Sequence, residues 1–230
     1  MKKKVLAVIP ARSGSKGIPN KNLLKIGEYS LLERALFTAM GSNVLSKIIV
    51  SSDSEEIMDI ANNYGDFAPF VRPSALATDD AKSLPVIQHA LEWSEKVEKY
   101  IYDFVALIEP PCPFRLNTHI DNAVKIAIDK GATSVMSVVE VGDYHPNRMK
   151  KINEKGSIIA YNTEEPEGLR RQDQEPVYIR NGAVYIFKRD ILISNKLWGK
   201  RPYPLIMDNN FYRINIDEPL DLLAARAFYN

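Results

Sequence analysis

Basic side chains, hydroxyls and glycines are concentrated in one short segment near the start of the chain. They are Arg12, Ser13, Gly14, Ser15, Lys16, Gly17 and Lys21. Cations and hydroxyls bind anions, and glycine lets the backbone approach a ligand closely or adopt positive φ angles. The segment therefore predicts a site for phosphate groups.

Two familiar phosphate-binding loops are excluded by the spacing of these residues. The pattern G-x-x-x-x-G-K-[ST] is absent because no Gly-Lys-Ser or Gly-Lys-Thr occurs in the chain. The pattern G-x-G-x-x-G fails because Gly14 and Gly17 lack the required third glycine. The loop must belong to a different nucleotide-binding fold.

The elements around this loop predict an α/β fold. The apolar run from Val5 to Ile9 is typical of a strand buried on both faces, and it ends at Pro10. Helical spacing of apolar residues follows Ser30 as far as Gly41, and a second buried strand is predicted at 47–51. Alternating strands and helices form parallel sheets, whose ligands bind at the carboxyl ends of the strands, where the loop lies.

Size and composition predict one domain in a reducing compartment. The 230 residues suffice for a sizeable α/β domain, and 30 basic residues face 29 acidic ones. No overall field therefore attracts nucleic acid or a membrane surface. Cys112 is the only cysteine, so no internal disulfide can form, and no apolar run is long enough to span a membrane. We expect a cytoplasmic protein.

The string at 11–23, Ala-Arg-Ser-Gly-Ser-Lys-Gly-Ile-Pro-Asn-Lys-Asn-Leu, resembles the A-R-x-G-S-K-G-[IL]-P-x-K-N-[IL] motif of CMP-sialic acid synthetases, the acylneuraminate cytidylyltransferases. The resemblance implies a Rossmann-like nucleotidyltransferase fold of GT-A-like type, with a mostly parallel sheet and helices on both faces. It also implies an enzyme that joins CTP and a sialic-acid-like nonulosonate, an acidic nine-carbon sugar, into a CMP-sugar and pyrophosphate.

The resemblance also implies which residues hold the nucleotide. Arg12, Lys16 and Lys21 would act in catalysis by holding the triphosphate and stabilising the departing pyrophosphate. Arg72 and Ser83 match the residues that lie against cytosine, and a guanidinium and a hydroxyl suit the carbonyl and ring nitrogen of that base. The remaining nucleotide contacts fall on Ala11, Ser13, Gly14 and Asn22.

The sugar site departs from the family pattern. The family reads L-Q-P-T-S-P-[LF]-R where this chain has Glu-Pro-Pro-Cys-Pro-Phe-Arg at 109–115 in place of the part from the glutamine onward, so Glu109 replaces a glutamine that holds the sugar. A carboxylate would repel an acidic sugar, so Glu109 either contacts a hydroxyl or amide of the sugar or helps to hold Mg²⁺. We interpret Cys112 as a packed residue rather than a nucleophile, because no histidine lies beside it in sequence.

Residues 144–182 are predicted to form an arm inserted in the single domain 1–230. Short alternating runs at 148–152 and 157–161 indicate a hairpin. In the family such an arm exchanges between the protomers of a dimer and closes over the sugar, which implies a homodimer here. The string from 170 to 183 resembles the family's R-Q-x-x-P-x-x-x-R-N-G-[AS] segment, so Arg171 and Gln172 would contact the sugar.

The end of the chain is predicted to hold the metal. The family's D-I-D-x-x-x-D-L segment supplies Mg²⁺ ligands, and here Asp217 keeps the second aspartate while Asn215 replaces the first, which makes Asn215 a weaker candidate. Residues 212–217 read as a strand before a helix over 220–228. A further acid, Asp53, is interpreted as a helix cap rather than a ligand.

Two alternatives stay open at this point. The chain could be a cytidylyltransferase for 3-deoxy-manno-octulosonate, which shares the logic of the loop, although the arm with Arg171 and Gln172 favours the nine-carbon class. It could also be a non-catalytic nucleotide-binding homologue, as the changes at Glu109 and Asn215 suggest.

Overall fold

The computed structural model describes residues 3–14, 17–162, 170, 173–208 and 210–229. Its strands are β1 Val5–Pro10, β2 Lys25–Ile26, β3 Tyr29–Ser30, β4 Lys47–Ser51, β5 Phe104–Leu107, β6 Ser134–Glu140, β7 Lys150–Ile152, β8 Ile158–Ala160, β9 Tyr178–Lys188 and β10 Pro202–Ile206. Its α-helices are α1 Leu31–Met40, α2 Glu55–Asn62, α3 Ser83–Glu98, α4 Asn117–Asp129, α5 Arg189–Ile193 and α6 Pro219–Tyr229.

The main sheet has the strand order β10-β6-β9-β5-β1-β4. Strand β1 pairs parallel with β4 and β5, and β10 pairs parallel with β6. Strand β9 runs antiparallel between β5 and β6. The sheet is therefore mostly parallel, as predicted, with one long reversed strand that joins its two parallel parts.

Alternation along β1 divides the core between the two faces of the sheet. Val5, Ala7 and Ile9 pack in the cluster that contains the buried residues of α1, α2 and α4. Leu6 and Val8 pack in the second cluster, which also contains Ile87, Ala90 and Leu91 of α3 and Leu192 of α5. Successive side chains of a strand point to opposite faces, so a continuously apolar strand must be covered on both sides. The predicted helices on both faces are confirmed.

The region before the last helix differs from the prediction of a strand. Residues Asn210–Arg213 form a short 3-10 helix, and irregular backbone outside the sheet leads from there to Asp217. The edge of the main sheet next to β6 is instead formed by β10. Its Pro202 and Pro204 are atypical of strands, so the sequence does not predict a strand there. Proline is tolerated there because an edge strand leaves one side of its backbone unpaired. The predicted terminal helix is confirmed as α6.

The predicted hairpin is confirmed as a separate two-stranded sheet of β7 and β8. Strand β9 already begins at Tyr178, where it pairs with Glu140, so the last residues of the predicted 144–182 arm are part of the main sheet. Within the described residues, no helix is long and apolar enough to cross a membrane.

Candidate functional site

A cleft of about 330 Å³ lies at the carboxyl ends of β1, β4 and β5. Of the predicted site residues that the structure describes, all but Ala11 and Ser13 line it, namely Arg12, Gly14, Lys21, Asn22, Arg72, Ser83, Glu109, Asn215 and Asp217. Parallel strands bring their carboxyl ends to one edge, so segments far apart in sequence meet there. Lys16, Arg171 and Gln172 lie outside the described residues.

Each described cation of the first loop has a carboxylate partner in the cleft. Arg12 pairs with Asp79 at 2.5 Å, and Lys21 pairs with Asp217 at 2.7 Å. A phosphate that enters the cleft must compete with these carboxylates for the two cations. Asp79 was not predicted as a site residue, because no sequence pattern reveals that the long connection after Arg72 returns to β1.

The interpretation of Asp53 as a helix cap is wrong. Ser54 caps α2 by accepting a hydrogen bond from the backbone of Ile57. The Asp53 carboxylate instead accepts hydrogen bonds from the Ser13 backbone at 3.0 Å and from its hydroxyl at 2.8 Å. Partial burial acts to raise the pKa of Asp53, but these hydrogen bonds outweigh burial and hold the pKa below its usual value. Asp53 therefore fixes the loop.

Two further contacts fix the path of this loop. The buried Asn22 donates from its side-chain amide to the carbonyl of Arg12 at 3.0 Å, and Ala11 donates from its backbone to Ser51 at 3.0 Å. These two predicted nucleotide residues thus hold the backbone that presents Arg12. At Gly17, a Cβ atom would collide with the backbone carbonyl of Asp217. Glycine at this position lets the cationic loop approach the acidic segment across the cleft.

Arg72 is buried beside Ser51, the last residue of β4, and lines the cleft. Its Nε donates to the Ser51 hydroxyl at 3.0 Å, a terminal nitrogen donates to the Ser51 carbonyl, and the other lies 3.5 Å from the carbonyl of Leu76. Burial lowers the pKa of Arg72 to about 10, with Asp53 opposing this. The side chain stays protonated at neutral pH, and its orientation is set by Ser51.

The segment after β5 carries a buried arginine, Arg115, and an acid that lines the cleft, Glu109. Arg115 is buried and donates to the backbone carbonyls of Glu109 at 3.0 Å and Ala183 at 2.8 Å, which fixes the proline-rich corner against β9. Burial lowers the pKa of Arg115 to about 10. Burial also raises the pKa of the Glu109 carboxyl, while Arg115 opposes this and Asp217 adds to it.

Cys112 is a packed residue, as predicted. It is buried, and its thiol lies 2.9 Å from the backbone carbonyl of Asn181. Burial raises the pKa of Cys112 to about 12, so it carries no thiolate at neutral pH. This environment is unsuited to a nucleophile.

The acidic side of the cleft is built around Asp217. Its Oδ1 accepts from the Lys21 ammonium, and its Oδ2 accepts from the Asn215 amide at 2.9 Å. The Asp217 backbone N–H is held at 3.0 Å by the carboxylate of Asp221, which stabilises the turn into α6. The Lys21 ammonium already pairs with the exposed carboxylate of Asp217. In proteins Mg²⁺ prefers carboxylate and amide oxygens as ligands. Asp217 and Asn215 therefore offer oxygen ligands that suit a magnesium ion, while the described residues contain no group of three His, Cys, Asp or Glu side chains that could hold a metal by themselves.

Asn181 is a residue of the 170–183 motif to which the sequence assigned no role. Its side chain is buried and donates to the backbone carbonyl of Tyr212 at 2.9 Å. This contact ties the segment that carries Asn215 and Asp217 to β9. Asn181 thus helps to position the segment that carries Asn215 and Asp217.

Sequence comparison agrees with this geometry. A family profile described as Cytidylyltransferase matches residues 6–217. The chain is 32% identical to the CMP-N,N'-diacetyllegionaminic acid synthase of Legionella pneumophila, over 95% of this chain and 93% of that protein. It is 33% identical to an N-acylneuraminate cytidylyltransferase of Escherichia coli over 98% of this chain, which spans about half, 52%, of that longer relative.

Structure comparison supports the same fold. A CMP:2-keto-3-deoxy-manno-octonic acid synthetase, solved in complex with CTP, superposes with a TM-score of 0.69 at 16% identity and covers 98% of both chains. At an identity this low, the superposition shows a shared nucleotidyltransferase fold alone. The motif at 11–23, the profile match over most of the length and the relatives at about 30% identity agree, and the chain belongs to the cytidylyltransferase family.

Proposed function

We propose that this chain joins CTP and a sialic-acid-like nonulosonate to give a CMP-sugar and pyrophosphate. The observation that carries this proposal is the convergence in one cleft of a cationic loop, a buried arginine beside β4 and an acidic segment before α6. The legionaminic and acylneuraminate relatives favour an acidic nine-carbon sugar over the eight-carbon sugar of the structural neighbour. We place the reaction in the cytoplasm, as the single cysteine and the sequence without a membrane-spanning run suggest.

The chemistry asks mainly for positioning and charge stabilisation. The anomeric hydroxyl of the sugar attacks the α-phosphorus in line, the bond to the β-phosphate oxygen breaks, and pyrophosphate leaves. Arg12 and Lys21 exchange their carboxylate partners for phosphate oxygens and stabilise the charge that develops on pyrophosphate. Lys16, Arg171 and Gln172 remain predicted contacts to the triphosphate and the sugar.

The two ends of CTP are held by different parts of the cleft. Arg72 has N–H groups that do not bond to Ser51 or Leu76, and it offers these to the cytosine ring. Ser83 lies at the start of α3 and lines the same cleft. Asp217 would hold Mg²⁺, with Asn215 beside it, when Lys21 turns to phosphate. The bound ion would neutralise phosphate charge and polarise the α-phosphoryl group.

A direct test supplies CTP and Mg²⁺ with sialic, legionaminic, pseudaminic and 3-deoxy-manno-octulosonic acids separately. We expect pyrophosphate release and a CMP-sugar mass with at least one nine-carbon acid, and little product with the eight-carbon acid. Product only with the eight-carbon acid would assign the chain to the alternative sugar class. Tight CTP binding without pyrophosphate release for any sugar would indicate a non-catalytic homologue.

We further propose that the chain works as a homodimer through the arm. Apolar side chains are exposed on and beside the hairpin, with Tyr144 76%, Ile152 77% and Ile158 73% accessible. A two-stranded hairpin is marginally stable alone, so a second copy of the chain would cover these residues.

Sedimentation velocity should give twice the mass of one chain. Ile152→Lys should shift the chain to the monomer, because it places a charge in the proposed interface. Ile101→Lys changes another exposed isoleucine, 65% accessible and outside the arm, and serves as control. A wild-type chain that sediments as a monomer at all concentrations would contradict the proposal.

A further inference from the structure

The ion pair between Arg12 and Asp79 lies over the cationic loop itself. Nη1 of Arg12 contacts Oδ1 of Asp79 at 2.5 Å, and the same nitrogen lies 3.9 Å from the position that a Cβ atom of Gly14 would take. A carboxylate presents two oxygens to a guanidinium much as a phosphate group does. Asp79 therefore occupies Arg12 in the way that a phosphate group of a ligand would.

Asp79 belongs to a connection that joins the two predicted contacts to cytosine. This connection, residues 73–82, starts directly after Arg72 and ends directly before Ser83. Three of its residues line the cleft, namely Leu76, Thr78 and Ala81. A nitrogen of Arg72 lies 3.5 Å from the carbonyl of Leu76. A base held between Arg72 and Ser83 must therefore contact the same connection that carries Asp79.

The 73–82 connection is anchored at its start and exposed at Asp79. The backbone N–H of Arg72 donates to the carbonyl of Ser52 at 2.6 Å, next to the end of β4. The side chains of Arg12 and Asp79 are 27% and 40% exposed. Ion pairs this exposed contribute little to the stability of a fold. The pair can therefore open when a ligand binds, without disturbing the sheet below it.

We infer that Asp79 is a specificity-determining residue that makes the binding of phosphate groups depend on the presence of the base. The inference rests on the proposed function, because it takes cytosine to lie at Arg72 and the triphosphate at Arg12. In the empty cleft Asp79 holds Arg12. A base that enters between Arg72 and Ser83 displaces the 73–82 connection, withdraws Asp79 and frees Arg12 for the triphosphate.

The consequence concerns phosphate compounds that lack a base, above all the product pyrophosphate. Such a compound makes no contact that displaces the 73–82 connection, so it must compete with Asp79 for Arg12. It is also repelled by the Asp79 carboxylate, which stays close to the loop. Asp79 thus weakens inhibition by pyrophosphate, while CTP brings the base that removes this competition.

The test compares ligands with and without a base in the absence of sugar. Pyrophosphate, tripolyphosphate and CTP are titrated separately into the wild type and Asp79→Asn by isothermal titration calorimetry, at one fixed concentration of Mg²⁺. The variant removes the charge and keeps the shape of the side chain. We expect it to bind the two base-free ligands about fivefold more tightly, as the loss of one partly exposed ion pair allows. Its affinity for CTP should change less than twofold.

Asp59→Asn is the matched control. It makes the same charge change at an exposed aspartate of α2, outside the cleft. All three ligands should bind this variant as they bind the wild type. Asp79→Glu keeps the charge on a side chain that is one methylene longer, so its affinities should stay closer to those of the wild type than the affinities of Asp79→Asn do.

Three other results would overturn the inference. Equal tightening of CTP and the base-free ligands in Asp79→Asn would make Asp79 a simple competitor that does not sense the base. Weaker binding of all three would mean that Asp79 positions Arg12 for phosphate. Unchanged binding of all three would mean that the ion pair has no effect on ligands.

Failure of the proposed function would look different from failure of this inference, since the titrations need no turnover. If the wild type binds CTP but releases pyrophosphate with none of the acidic sugars, the proposed reaction is wrong, and the titrations alone decide the role of Asp79. If the wild type makes a CMP-sugar and Asp79→Asn binds pyrophosphate as the wild type does, the reaction stands and the role of Asp79 is wrong.

Discussion

Lys21→Ala is expected to lower the turnover number by about 10²-fold or more, which is the loss typical when one group that stabilises transition-state charge is removed. The Lys21 ammonium is held in the cleft with its side chain only 15% exposed. In the proposed reaction Lys21 stabilises the departing pyrophosphate, and Arg12 lines the same cleft. The measurement is pyrophosphate release at saturating CTP and sugar, with CTP affinity determined separately.

Lys25→Ala gives the control for that substitution. Lys25 is an exposed lysine on β2, four positions further along the chain and outside the cleft. Its removal changes net charge by the same amount and should leave turnover within about twofold, because an exposed charge is screened by water and salt. Equal turnover in the Lys21 and Lys25 variants would remove Lys21 from the mechanism.

The loop and the first half of the sheet could be predicted because local signals there agree. The run from Val5 to Ile9 has one interpretation, Ser30 has the side chain that a helix cap requires, and both are confirmed. The predicted hairpin at 148–161 is confirmed for the same reason, since polar turn residues separate two short alternating runs. Local chemistry and tertiary structure point the same way at these positions.

Other features depend on contacts between distant segments, and the sequence contains no local signal for them. Asp53 has the spacing of a helix cap, yet the cap of α2 is Ser54. The Asp53 carboxylate instead accepts two hydrogen bonds from Ser13, which follows a different strand, β1. Asp79 meets Arg12 only through the path of a long loop. The antiparallel direction of β9 between β5 and β6 likewise has no signal in its own residues.

The side chains that line the cleft could be predicted more completely than the contacts that hold them, for a physical reason. Phosphate and metal chemistry require particular side chains, such as Arg12, Lys21 and Asp217, so these stand out as residue types. The residues that hold them, such as Asn22, Asn181 and Arg115, act through backbone carbonyls. Any segment can offer a carbonyl, so such contacts leave no pattern in the sequence.

The second large effect is expected at Arg72. Arg72→Ala should reduce the preference for CTP over UTP by about 10²-fold, because a site that hydrogen-bonds one base loses its discrimination when the donor is removed. The variant should also lower the free energy of unfolding by about 2 kcal/mol, since Ser51 loses buried hydrogen bonds. The measurements are kcat/KM for both nucleotides and urea denaturation.

Two further variants separate base recognition from stability at this position. Arg72→Lys keeps a positive charge but lacks the planar fork, so it should retain more stability than alanine while most nucleotide preference is lost. Ser51→Ala removes the hydroxyl that orients the fork and should weaken the preference about tenfold while Arg72 remains. If Arg72→Ala loses stability but still prefers CTP to UTP as strongly as the wild type, Arg72 only anchors the loop to β4, and another group must read the base.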